Sequence, residues 1–219
     1  TPAPPVTPVA PAPAKPLATP EQLMAATKEK PFVNSLGMKF VPIPGTSVLF
    51  CIWETRVKDF EAFVRESGYD WHEKPAFGQG PDHPVVRVGH DDAATFCAWI
   101  SRKEGLEYRL PSDEEWDAAV GKNVYPWGNE WPPPDGAENI GGEEAKLGAA
   151  DDPTPGLQRG FRDSHPRTAP VGSYKASKLA LYDMGGNVGE HTQTWYKEAQ
   201  YKKHLDGGGP PLPSGSESL

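Results

Sequence analysis

From Gly121 onward no helical period can be traced, and Pro, Gly, Asp, Asn and Trp punctuate the chain to its end. A stretch of that length without helices or strands is uncommon inside a compact domain. It can be ordered only if something other than secondary structure holds the loops, and bound cations and tryptophan packing are the obvious means. The composition points the same way. With 26 Pro and 23 Gly against 37% hydrophobic residues, short elements joined by long ordered loops are expected, rather than a helical bundle or a doubly wound sheet.

Regular structure is expected ahead of Gly121. The runs MKFVPIPG (38–45) and VLFCIWET (48–55) read as short strands separated by a turn around Gly45. Thr55 then caps a helix in which Val57, Phe60, Phe63 and Val64 form one apolar stripe and Gly68 is the stop. A second helix is predicted from about Asp91 to Glu104, with Ala93, Phe96, Cys97 and Ile100 on its inner face. Asp91 and Asp92 suit its N-terminal dipole, and Gly105 ends it. A third begins at Ser112, with Glu115 completing a capping box, and carries Trp116 and Ala119.

Residues 1–30 read as a Pro-rich disordered linker. TPAPPVTPVAPAPAKPLATP (1–20) has almost no large apolar side chain to bury, and its prolines favour an extended, semi-rigid polyproline II spacer. A short helix within 21–30 is begun by Thr19-Pro20-Glu21. Residues 31–219 read as one domain. A start at Thr1 inside the proline tract and a stop at SGSESL suggest a segment of a longer polypeptide, fused to further domains.

Several function classes are disfavoured. A formal net charge of −8 gives no basic face for nucleic acid. No apolar run reaches the roughly 18 residues that a membrane-spanning helix needs. Cys51 and Cys97 are too few for a disulfide framework. Set in the apolar runs VLFCIW and AATFCAWI, they read as small buried hydrophobes, with pairing left to the fold. The histidines lack zinc spacing, and GGG (207–209) has no following Lys-Ser or Lys-Thr to make a phosphate loop.

Other blocks carry an identity. NSLGMKFVPIPG (34–45), HPVVRVGHDDAATFCAWISRKEGLEYRLPSDEEWDAA (83–119), YPWGNEWP (125–132), AENI (137–140), TAPVGSY (168–174) and LALYDMGGNVGEHTQTWY (179–196) follow one another in this order. That order, over residues 32–196, resembles the formylglycine-generating-enzyme or sulfatase-modifying-factor family. The resemblance implies an α+β, C-type-lectin-like fold with little regular structure. Read by themselves, the blocks are architectural: Pro111 and Ser112 make a strand-to-helix corner, and Trp127 before Gly128 suits nailing a loop to the core.

The resemblance also implies two structural calcium sites. The first would use Asn139, the carbonyl of Ile140, Asp163 and the carbonyl of His165; the second, Asp183, Glu190 and the carbonyls of Gly186 and Val188. Calcium takes six to eight oxygens in irregular geometry, which loops can supply. Gly185-Gly186-Asn187 can turn the chain so that carbonyls and two carboxylates converge. Weak sites of this kind fill in millimolar calcium, which favours an extracytoplasmic setting.

Catalytic relatives rely on a C-terminal pair of copper-binding cysteines, and thiolates suit Cu(I). Cys51 and Cys97 match neither, and the chain ends at Leu219, where that segment would begin. The expectation is therefore a non-catalytic, calcium-stabilised recognition module of a larger bacterial protein, taking an unidentified protein or peptide ligand. The alternative is a fragment of an oxidase that converts a sulfatase cysteine to formylglycine. One departure stands out: GNVGEHT (186–192) has Gly189 and His191 where the family commonly has tryptophans. Two truncated rings, each worth about 3–5 kcal/mol, require either repacking or a pocket, with His191 lining it or simply hydrogen-bonded.

Overall fold

The computed structural model describes residues 19–144 and 160–193. Strands β1 (Phe32–Val33), β2 (Lys39–Pro42) and β3 (Leu49–Cys51) form an antiparallel sheet in the order β1-β2-β3, with Phe40 paired to both Phe32 and Cys51. β1 was not expected from the sequence. β3 ends at Cys51, short of the strand-like run to Thr55, because the chain bends at Ile52-Trp53 and the Ile52 N–H bonds Lys39 O.

Alternation along β2 puts opposite faces of the sheet into two cores. Met38 and Phe40 join Phe60, Phe63, Phe96, Trp99 and Ile100. Val41 and Ile43 join Ile52, Ala119, Leu181 and Met184. The sheet is thus covered on one side by helices α2 (Val57–Ser67) and α3 (His90–Glu104), and on the other by α4 (Asp113–Val120) and the loop at 181–184.

The helix ends show which capping signals were read correctly. Ser112 and Glu115 form the expected reciprocal box on α4. At α2 the cap is Arg56, not Thr55: Asp59 Oδ2 accepts from the Arg56 N–H at 3.1 Å, and the Thr55 carbonyl is engaged instead by Val85 N. The Asp59 carboxylate also takes Arg56 Nε at 2.8 Å and Nη2 at 2.9 Å, making a fully buried fork. α3 starts one residue earlier than expected, with Asp92 accepting from Gly89 N.

Helix α1 (Pro20–Met24), capped by Thr19, is shorter than the expected one, and Ala26 behind it is buried. Order therefore begins inside the segment read as a linker; residues 1–18 lie outside the described residues. Among the described residues no helix is long and apolar enough to cross a membrane.

After Gly121 the described chain is indeed without strand or α-helix. Scattered backbone bonds tie it down: Tyr182 N to Ile52 O, Val171 N to Asp82 O, Lys175 N to Gly136 O and Gln193 N to Pro111 O. Trp127 stacks on Tyr125 at 4.9 Å, and its ring lies so close to Gly185 that a Cβ there would sit 3.0 Å from it. That contact nails the YPWGN turn to the DMGGNVGE segment.

Candidate functional site

The loops converge on one amide. Asn187 Nδ2 donates to Glu54 Oε1 at 3.0 Å and to Ala169 O at 3.2 Å, while its Oδ1 accepts from Ala169 N at 2.7 Å and from Asn139 Nδ2 at 3.0 Å. Its own N–H donates to Asn139 O at 2.7 Å. The residue sits at φ +66, a left-handed conformation that Asn tolerates. One side chain thereby joins the β3–α2 junction, the 137–140 segment, the TAPV segment and DMGGNVGE.

The four residues expected in the first calcium site lie together. Asp163 Oδ2 accepts from Ile140 N at 3.0 Å and Oδ1 from His165 N at 2.7 Å, and Asn139 Nδ2 reaches Arg167 O at 2.7 Å. Burial raises the Asp163 pKa against the lowering effect of those two N–H groups. The Tyr174 hydroxyl stands 3.0 Å from His165 Nδ1 and also bonds Asp163.

The residues expected in the second site are brought together with two acids that the sequence reading did not include. Asp183, at φ +58, accepts from Gly172 N at 2.8 Å through Oδ2, and its Oδ1 is buried without a hydrogen-bond partner. Glu54 is anchored through Oε1 by Asn187, and its Oε2 is likewise buried and bare. Glu138 is anchored by the Gly185 N–H, and its Oε2 is bare. These three residues are 2%, 6% and 4% exposed.

Glu190 faces the same group. Its carboxyl is pushed up to about 8 by desolvation and by the charges of Asp183 and Glu138. The residue keeps an exposed face along the neighbouring cavity, and water there offsets part of that effect. Desolvation, with Asp183 second, pushes Glu138 to about 8. Desolvation, then Glu190 and Asp183, hold Glu54 well above the ordinary carboxylate range. Burial also raises Asp183. Oxygens alone face one another here, a donor set for a hard cation. Among the described residues, no three His, Cys, Asp or Glu side chains already stand in ligand geometry.

A cavity of about 750 Å³ opens beside this acid group, with Cys51, Trp53, Tyr108, Trp116, Glu190 and His191 on its walls. His191 is half-buried; its Nε2 lies 3.1 Å from Val88 O and its ring packs edge-on to His90. His191 is thus hydrogen-bonded in the wall of this cavity, next to Gly189. Cys51 and Cys97 are unpaired. Burial pushes their thiols up to about 12 and about 11, so both behave as the apolar packing groups expected.

Comparison with known proteins adds the ancestry. The family model for the sulfatase-modifying factor enzyme 1-like domain matches residues 48–215. The chain belongs to that family. The domain is 31% identical over 121 residues to the bovine (Bos taurus) formylglycine-generating enzyme, covering 53% of this chain and 28% of the relative. It is 35% identical over 122 residues to the mouse (Mus musculus) inactive C-alpha-formylglycine-generating enzyme 2, covering 53% and 33%. It is 35% identical over 124 residues to the serine/threonine-protein kinase Pkn1 of Chlamydia trachomatis, covering 55% and 15%. The chain thus spans a third or less of the length of these relatives. The structure of PvdO from Pseudomonas aeruginosa superposes with a TM-score of 0.52 at 21% identity, over 84% of this chain and 66% of that one. That likeness supports an α+β, loop-rich fold of the same general kind.

Glu54, Glu138 and the full reach of Asn187 were missed from sequence. Glu54 offers a faint signal, an acid within the apolar run LFCIWET. Glu138 stands beside Asn139 with nothing local to mark it as buried.

Proposed function

We propose that the domain is a non-catalytic recognition module, stabilised by calcium and carried by a larger bacterial protein. The observation that carries this reading is the set of bare, buried carboxylate oxygens on Glu54, Glu138 and Asp183. Like charges brought out of water need a compensating cation or a proton. Calcium sites at Asn139, Ile140, Asp163 and His165, and at Asp183, Gly186, Val188 and Glu190, supply that compensation in the half of the domain that lacks regular structure. Calcium's part is to bridge loops. At Glu54, Glu138 and Asp183 the protein's part is to hold the carboxylate by one oxygen and leave the other buried and bare, as Gly172 N does for Asp183.

The C-type-lectin-like arrangement of the family would present the cavity beside Trp53 and His191 to a protein or peptide ligand, with the proline-rich N-terminal segment as tether. Support for a module without chemistry comes from the inactive mouse relative, and support for a larger parent protein from the match to a small part of a protein kinase. An extracytoplasmic setting would keep the ions bound.

The test is a thermal melt in millimolar calcium and in chelator. A free calcium concentration about a hundred times the dissociation constant adds about 2.7 kcal/mol, which moves the midpoint upward by several degrees. Superimposable melts would remove the calcium reading.

A second reading, part of a formylglycine-generating oxidase, is favoured by the similarity to the bovine enzyme. The raised thiols of Cys51 and Cys97 make them poor copper ligands. Incubation with Cu(I), oxygen and a sulfatase-derived cysteine peptide is expected to give no formylglycine. Turnover that is lost when either cysteine is replaced would favour the oxidase.

A further inference from the structure

We infer that Glu54 and Glu138 are ligands of the second cation site, so that its ion joins the N-terminal sheet to both loop segments. The inference rests on the calcium reading above and extends it to residues from outside DMGGNVGE. Glu54 lies where β3 gives way to α2, and Glu138 lies on the segment that supplies Asn139 and Ile140 to the other site.

Both side chains share one design with Asp183. One oxygen is fixed by a protein N–H, from Asn187 Nδ2 for Glu54, Gly185 N for Glu138 and Gly172 N for Asp183. The other oxygen is buried and has no hydrogen-bond partner. A carboxylate that served only to accept the tethering bond would leave its second oxygen in water. Burying that oxygen bare forfeits its hydration with nothing in return, and the penalty is larger for a charged group. Glu54 feels the Glu190 and Asp183 charges, Glu138 feels that of Asp183, and Glu190 feels that of Glu138.

The bare oxygens do not yet stand in ligand geometry, so binding an ion between them requires these side chains to turn about their anchored oxygens. The resulting set is rich in carboxylates and has no soft donor, which suits a hard cation of high charge. Four acids against a divalent ion leave net negative charge, so a trivalent lanthanide of calcium's size should bind more tightly than calcium. Trp127, packed against Gly185, stands close enough to sensitise terbium emission.

The experiment compares wild type with E54Q, E138Q and D163N by calcium calorimetry, terbium luminescence and melts in chelator. Expected for E54Q and E138Q is at least tenfold weaker binding at one of two sites and loss of sensitised terbium emission. Their melts in chelator should stay level or rise, since like-charge repulsion is relieved. A purely structural acceptor would instead melt lower when neutralised. D163N, in the other site, should keep the terbium signal. Calcium and terbium binding unchanged in both glutamine variants overturns the inference while leaving the calcium reading intact. No binding by the wild type overturns both.

Discussion

Replacing Asn187 by Ala should cost the domain about 5 kcal/mol. The side chain makes four hydrogen bonds of 2.7–3.2 Å, to Glu54, Asn139 and both backbone groups of Ala169. At about 1 kcal/mol net for each, their loss amounts to about 4 kcal/mol. The residue's φ of +66 adds roughly 1 kcal/mol for alanine, whose Cβ meets the following carbonyl there. In urea the midpoint should fall with little change in slope, because the surface exposed on unfolding is almost the same. Thermally, the shift should be about 10–20 °C for a domain of this size. The Gly variant separates the two contributions: N187G loses the same bonds but not the backbone strain, and should be about 1 kcal/mol more stable than N187A. If N187A stays within about 1 kcal/mol of wild type, the amide is not what ties the loops together.

Other expectations follow from single contacts. D59N leaves the buried Arg56 guanidinium with only the solvent-facing Asp82, 3.9 Å from Nη1, as counter-charge and should cost about 3 kcal/mol in denaturant unfolding. G186A places a Cβ 2.5 Å from Asn139 O, so a main-chain shift and a loss of about 1–3 kcal/mol are expected, with weakened calcium binding alongside. The acid group also sets a pH dependence. Glu138 holds its proton to about 8 in the folded state against an ordinary value of 4.5, so folding takes up protons there. The stability this group contributes in chelator is full below about pH 4.5 and is lost as pH rises through about 8. Calcium, replacing those protons, should flatten the profile; equal slopes with and without calcium would contradict this.

The elements before Gly121 were legible because their signals are local. The Phe60–Phe63 stripe, the αL glycines 68 and 105 and the Ser112–Glu115 box each act within one or two turns of helix. Thr55 failed as a cap because Arg56 and Asp59 offered a reciprocal arrangement with an additional ion-pair fork. In the loop half, the family motifs located the segments and the local turn, but periodicity could not. Asp163 and Asp183 were singled out through their motifs, and both lie where the loop segments meet. Glu54 escaped notice because its partner Asn187 is 133 residues away, and nothing in LFCIWET specifies that pairing. Burial of Glu138 is likewise fixed by Gly185 and Asp183 from a distant segment.

Fastening loops by partners so far apart has a kinetic consequence. The contacts that organise the second half are among the most non-local in the molecule, and closing such long loops slows folding. During synthesis the sheet and α2 emerge well before Asn187 exists to receive Glu54. For that interval the nascent chain carries a half-built apolar cradle with an uncompensated acid at its lip, a surface that a chaperone would recognise.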